Sequence, residues 1–224
     1  MKVLVEICAP SVERAREAEA TGAGRIELCT DLECGGLTPP HPDIISLVQG
    51  VDALKIPVNV LIRPRAGDFV YNSAEIEQMM DDISFCGAAG VNGVVIGALN
   101  PRGGVDRPLC RNMVALARSY GLSVTFHRAI DESRNIDKAL DAVIALGVDR
   151  ILTSGGAESA WEGRDVIKRM VQRINALYPE GSGPKILAGA GVNFANAAPL
   201  VAVTGVSEIH GSRLELCRCT LKDF

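Results

Sequence analysis

Eight short apolar runs alternate with helical patterns along the 224-residue chain, and one helix-to-strand junction recurs four times. No dinucleotide-type glycine fingerprint follows the first run, where Cys8-Ala9-Pro10-Ser11-Val12-Glu13 stands instead. Together these observations predict an α/β fold, a single (β/α)8 barrel over residues 1–224, rather than a doubly wound open sheet.

Strands are expected over Val3–Cys8, Arg25–Leu28, Val58–Arg63, Val94–Gly97, Leu122–His127, Arg150–Thr153, Lys185–Ala188 and Val206–His210. Helices are expected over Val12–Thr21, Pro42–Gly50, Ala74–Ala89, Pro108–Tyr120, Ile136–Leu146, Glu162–Leu177 and Asn193–Val203. The repeated junctions are Gly22-Ala23-Gly24-Arg25-Ile26-Glu27-Leu28, Gly90-Val91-Asn92-Gly93-Val94-Val95-Ile96, Gly147-Val148-Asp149-Arg150-Ile151-Leu152-Thr153 and Gly205-Val206-Ser207-Glu208-Ile209-His210. In each the leading glycine can end a helix in the left-handed region, and a strand begins within a few residues. After Ser212 the remaining segment carries no clear helical pattern, so the eighth helix is expected to be short, irregular or missing. A second subunit covering that side would make a homodimer.

Composition narrows the class further. Hydrophobic residues make up 47% of the chain but aromatics only 4%, so the core must be built from Ala, Val, Leu and Ile, which suits covered parallel strands. A net charge of −4 without a basic run argues against a nucleic-acid partner. Glu6 interrupts the first apolar run, which makes a poor signal peptide, and no stretch is long enough to span a membrane. Seven cysteines, an odd number without an export signal, point to reduced thiols and a cytoplasmic setting.

Strand parity then places the chemistry. Outer faces pack on helices and should be apolar, so inner faces take the residues between. Val3, Val5 and Ile7 face out and leave Leu4, Glu6 and Cys8 inside. By the same rule Arg25, Glu27, Cys29, Asn59, Leu61, Arg63, Thr125, His127, Glu208 and His210 point inward. Three glutamates in a barrel interior need partners, since an unpaired buried carboxylate costs several kcal/mol or takes up a proton. Glu6, Glu27, Arg63, His127, Glu208 and His210 therefore form either an ion network or a catalytic cup near the strand C-termini. In the second case Glu6 or Glu27 is the base and His127 the acid or electrophile, for isomerisation or aldol-type cleavage beside a carbonyl.

An anion site is expected beside them. Arg65 follows Arg63-Pro64 after strand 3, and either grips an anion or pairs with Asp68. Gly-rich turns follow strands 6, 7 and 8, with Ser154, Gly155, Gly156, Gly189, Gly191 and Ser212 as candidates for a cup of backbone N–H groups. Cys8 and Cys29 end adjacent strands with the same parity. Parallel neighbours lie about 4.8 Å apart, so the two thiols either hold Cu(I) or pack as small apolar groups. Cys34 lies in the loop after strand 2, Cys86 and Cys110 sit in helical patterns, and Cys217-Arg218-Cys219 is a further thiol pair.

The blocks Arg25-Ile26-Glu27-Leu28-Cys29, Gly35-Gly36-Leu37-Thr38-Pro39 and Ile62-Arg63-Pro64-Arg65 with Gly67-Asp68-Phe69-Val70-Tyr71 resemble the CutC family. So do Gly93–Gly97, Thr125-Phe126-His127-Arg128 with Asp131, Ile151–Gly156, Ala188–Val192 and Glu208-Ile209-His210 with Ser212. The resemblance runs from Val5 to about Ser212 and rests on the joint order of the blocks. It implies a (β/α)8 barrel, a cytosolic setting and copper homeostasis with Cu(I) as the metal, and it carries Cys8 and Cys29 as ligands. Cys34 and a curtailed C-terminal segment depart from the family pattern. Two functions follow as expectations: a copper-binding homeostasis protein, and a barrel enzyme acting on a small anionic or phosphorylated carbonyl compound.

Overall fold

The structure is a computed structural model that describes residues 3–179 and 181–218. Eight parallel strands close into a barrel in sequence order: β1 (Leu4–Ala9), β2 (Arg25–Leu28), β3 (Val58–Leu61), β4 (Gly93–Ile96), β5 (Ser123–Phe126), β6 (Arg150–Thr153), β7 (Lys185–Ala188) and β8 (Glu208–Gly211). Around it run α1 (Val12–Thr21), α2 (His41–Val48), α3 (Ser73–Ala89), α4 (Arg107–Ser119), α5 (Ile136–Ile144), α6 (Arg164–Leu177) and α7 (Ala197–Thr204). This is the expected (β/α)8 barrel. No helix among the described residues is long and apolar enough to cross a membrane.

Strand alternation sends the apolar residues outward, against the helices. The outer residues Val5, Ile7, Ile26, Leu28, Val58, Val60, Val94, Ile96, Val124, Phe126 and Ile209 all belong to one core shared with the helices. A separate small apolar cluster, Cys8, Cys29, Leu61 and Val95, lies inside the barrel. Closure comes from β1 against β8, where Leu4 pairs with Glu208 and Glu6 with His210. The junction glycines Gly22, Gly90 and Gly205 cap their helices at φ 103°, 87° and 75°, which a residue with a Cβ rarely adopts.

One expectation shifts and another is met. The seventh helix begins at Ala197 rather than Asn193, because Asn193 and Asn196 build a turn first: Asn196 Oδ1 accepts from the Asn193 N–H and Asn193 Oδ1 from that of Ala195. After β8 the described chain forms only a 3-10 helix, Leu214–Arg218, and no eighth α-helix. Its Leu216 is fully buried beside α1 and β1, so one side chain plugs the gap a helix would cover.

Candidate functional site

A cavity of about 920 Å³ opens at the C-terminal ends of the strands. Cys8, Glu27 and His210 lie at its floor, Arg63 and His127 on its wall, and the loops after β7 and β8 on its rim. The predicted set thus divides by depth. Glu6 and Glu208 are not among the residues that line the cavity. Both belong to an ion layer beneath it.

That layer is built around Arg25. Its guanidinium donates to both Glu6 and Glu208, and Arg150 lies 3.2 Å from Glu208. His210 Nδ1 lies 2.8 Å from Glu6 Oε1. Burial drives the Glu6 carboxyl upward, but the His210 hydrogen bond and the Arg25 charge outweigh it and hold the group at about 2. Burial likewise pushes His210 down, and the charges of Glu27 and Glu6 more than reverse that, so its net shift is upward. Glu6 and Glu208 are therefore the network members of the set, engaged by cations in place of a ligand.

Glu27 differs from Glu6 by one step along the barrel. In the β1–β2 register Glu6 meets Arg25 while Cys8 meets Glu27. Glu27 consequently has no cation in contact: Oε1 accepts a long 3.7 Å contact from the Cys8 thiol, and Oε2 is buried without a hydrogen bond among the described residues. Burial raises its pKa to about 7, against the pull of His210.

The two inward thiols meet. Cys8 Sγ lies 3.4 Å from Cys29 Sγ, and both side chains are buried. The hydrogen bond to Cys29, then burial, then the neighbouring Glu27 charge push the Cys8 pKa well up. Sγ of Cys8, a carboxylate oxygen of Glu27 and a ring nitrogen of His210 lie within 4.8 Å of one another, an arrangement able to hold a metal ion. Cys34 is exposed on the rim, donating to Asp31 O. Cys86 and Cys110 are buried in α3 and α4, where burial lifts both thiols to about 12. Cys219 lies outside the described residues, so the Cys217–Cys219 pair has no structural counterpart here.

His127 is the wall residue with a free hand. Its Nδ1 accepts the Ala129 N–H at 3.1 Å, which places the proton of the neutral ring on Nε2. Nε2 is buried and unpartnered among the described residues. Burial, helped by the Arg63 charge, lowers the ring pKa to about 3, so the imidazole stays neutral and donates. Arg63 is largely committed to its own loops: Nη1 donates to Cys34 O and Gly36 O, Nη2 to Gly67 O, and the guanidinium rests 4.8 Å above Phe69. Phe69 in turn lies 4.9 Å from the His127 ring, a wall contact that strand parity had no means to find because Phe69 is in a loop.

The anion candidates also separate. Arg65 does not line the cavity; Glu75, Asp68 and the Val70 carbonyl hold its guanidinium. The turn after β6 is filled by the protein itself. The Asp131 carboxylate accepts from the Ser154 and Gly156 N–H groups at 3.0 Å and from both the Thr153 and Ser154 hydroxyls. Ser154 and Gly156 thus cradle an anion, but it is Asp131, and the Gly155 N–H donates to Thr153 Oγ1 instead. Gly189 donates its N–H to Thr153 O. Gly191 and Ser212, with their neighbours Ala190, Val192 and Arg213, remain on the cavity rim.

The CutC family model matches residues 3–215. The chain belongs to the CutC family. Curated CutC-family relatives match over most of this chain. The CutC protein of Vibrio campbellii is 43% identical over 210 residues, covering 94% of this chain and 81% of that one. That of Xylella fastidiosa is 45% identical over 209 residues, covering 93% and 74%. The crystal structure of CutC from Streptococcus agalactiae, a protein assigned provisionally to copper homeostasis, superposes with a TM-score of 0.84 at 31% identity, covering 95% of this chain and 99% of that one. Deoxyribose phosphate aldolase from Aeropyrum pernix, at a TM-score of 0.65 and 15% identity, shares the barrel fold.

Proposed function

We propose that this CutC-family barrel acts in copper homeostasis by binding Cu(I) at Cys8 and Cys29. The observation that carries this reading is the 3.4 Å approach of two buried thiols, Cys8 at the cavity floor and Cys29 beside it. The donor chemistry fits: thiolate sulfur is the ligand type that selects Cu(I), and an imidazole and a carboxylate stand by as further donors. Copper is here the cargo. Binding displaces the thiol protons, and the cavity gives the ion a path to the floor.

The provisional copper assignment of the Streptococcus agalactiae relative supports the same reading. The thiols of Cys8 and Cys29 are free, which suits a reducing cytosol. A homodimer completes the proposal, with the exposed Trp161 and Phe194 in the loops after β6 and β7 as its apolar contacts; sedimentation velocity at two protein concentrations tests it, and a single monomer boundary at both rejects it.

The copper site is tested by competition against a chromophoric Cu(I) chelator under argon. Wild type should outcompete the Cys8→Ser/Cys29→Ser double variant by at least about a hundredfold, since two charge-bearing ligands are lost. Equal affinities would remove these thiols from the site.

A further inference from the structure

The space above the thiols is far larger than a metal ion needs. At about 920 Å³ it lies within the range of roughly 300–1,000 Å³ typical of small-molecule pockets. Its rim and its wall offer hydrogen-bond donors of two different kinds, and neither involves Cys8 or Cys29.

On the rim, three peptide groups are anchored by their oxygens. Ala190 O accepts from the Ala160 N–H at 2.9 Å. Gly191 O accepts from the side-chain amides of Asn193 and Asn196, and Ser212 O from Arg14. In a trans peptide the C=O and N–H point in opposite directions. The N–H groups of Gly191, Val192 and Arg213 are thereby turned away from the protein partners that hold their carbonyls. No hydrogen bond among the described residues uses these three N–H groups, or those of Ala190 and Ser212, and all five residues line the cavity. Unpaired N–H groups on the loops after two adjacent strands are the material of an anion cup. The loop is held at some cost: Ala190 adopts φ +74°, a left-handed conformation that disfavours a side chain.

On the wall, His127 presents one donor and no acceptor. Its Nδ1 is consumed by Ala129, and Nε2–H is unpartnered at 4% residue exposure. A donor fixed in this way calls for an oxygen acceptor on the ligand, and a neutral imidazole is suited to polarising a carbonyl.

We infer that the cavity binds a small phosphorylated carbonyl compound, with its phosphate on the N–H groups of the β7 and β8 loops and its carbonyl oxygen on His127 Nε2–H. The β6 turn takes no part, because Asp131 occupies its donors. This function is separate from copper binding and stands or falls on different residues.

The probes are dihydroxyacetone phosphate, unphosphorylated dihydroxyacetone and inorganic phosphate, titrated calorimetrically into the copper-free full chain. The phosphorylated ketone should bind at least about tenfold more tightly than either fragment, as expected when both ends contribute more than about 1.4 kcal/mol. Ser212→Asp, an exposed rim substitution, should weaken both phosphorylated ketone and phosphate about tenfold by placing a carboxylate at the cup. His127→Phe should weaken the ketone phosphate while leaving inorganic phosphate unchanged. The infrared carbonyl band of the bound ketone should move to lower frequency in wild type and return toward its solution value in His127→Phe. Equal binding of phosphorylated and unphosphorylated ketone, or indifference to Ser212→Asp, overturns the cup. An unshifted carbonyl band on the wild-type complex overturns the role of His127.

Discussion

Glu6 and Glu27 have the same residue type, parity and burial, yet opposite titration. Glu6 meets Arg25 and is held at about 2, whereas Glu27, with no cation in contact, is raised to about 7. Strand alternation placed both carboxylates inside, along with Cys8, Cys29 and His127. It could not tell which one faces the ligand, because parity gives the side of a strand and not the register with its neighbour. The difference has a measurable consequence. An acid whose folded pKa exceeds its unfolded value stabilises the fold at low pH and loses that advantage as pH rises from 4.5 through about 7. Ionised Glu27 therefore costs the folded state on the order of 3 kcal/mol above pH 7. Glu27→Gln should raise the stability of the copper-free protein at pH 8 by up to that amount and change it little at pH 4. Urea titrations at the two pH values decide the matter, and an equal effect at both would contradict the assignment.

Turns and terminal segments show what a chain reading misses between elements. The turn after β6 does cradle an anion, through Ser154 and Gly156, but the anion is a carboxylate arriving from the loop after β5. No local pattern near Gly155 announces Asp131; the signal lies in a short 3-10 turn, Arg128–Ile130, that aims the side chain across to the next strand. Removing that carboxylate strands several buried donors. Asp131→Ala should cost about 3 kcal/mol or more in equilibrium unfolding, and a loss below about 1 kcal/mol would show that the turn holds itself. Leu216 poses the parallel question on the other side. Helical periodicity could report only that an eighth helix was doubtful, not that one leucine would fill its place. Leu216→Ala should destabilise by about 2–4 kcal/mol if that side chain seals the barrel where α8 would lie. A near-neutral result would mean that the seal comes from elsewhere.

At the scale of the whole barrel, the fold was legible because period-two strands and repeated glycine junctions agree along nearly the full chain. Closure needed something more. A belt of opposite charges crosses the axis, linking β1, β2, β6 and β8 through Glu6, Arg25, Arg150, Glu208 and His210. Arg25, Arg150 and Glu208 open β2, β6 and β8, so this belt lies toward the N-terminal end of the barrel, beneath Cys8 and the cavity. Arg25→Met should cost about 3–5 kcal/mol, because two carboxylates lose their shared cation; thermal unfolding indistinguishable from wild type would contradict that role. The belt also explains why the candidate site was only half readable from residue types. Glu6 and Glu208 are foundation while Glu27 is floor, with His210 in both, and only three-dimensional register sorts them. Copper binding as proposed turns on the Cys8 and Cys29 thiols being the ligands. Copper K-edge X-ray absorption on the Cu(I)-loaded full chain measures this directly. The account predicts sulfur in the first coordination shell of wild type and its loss in Cys8→Ser/Cys29→Ser; a sulfur-free shell in wild type would contradict it.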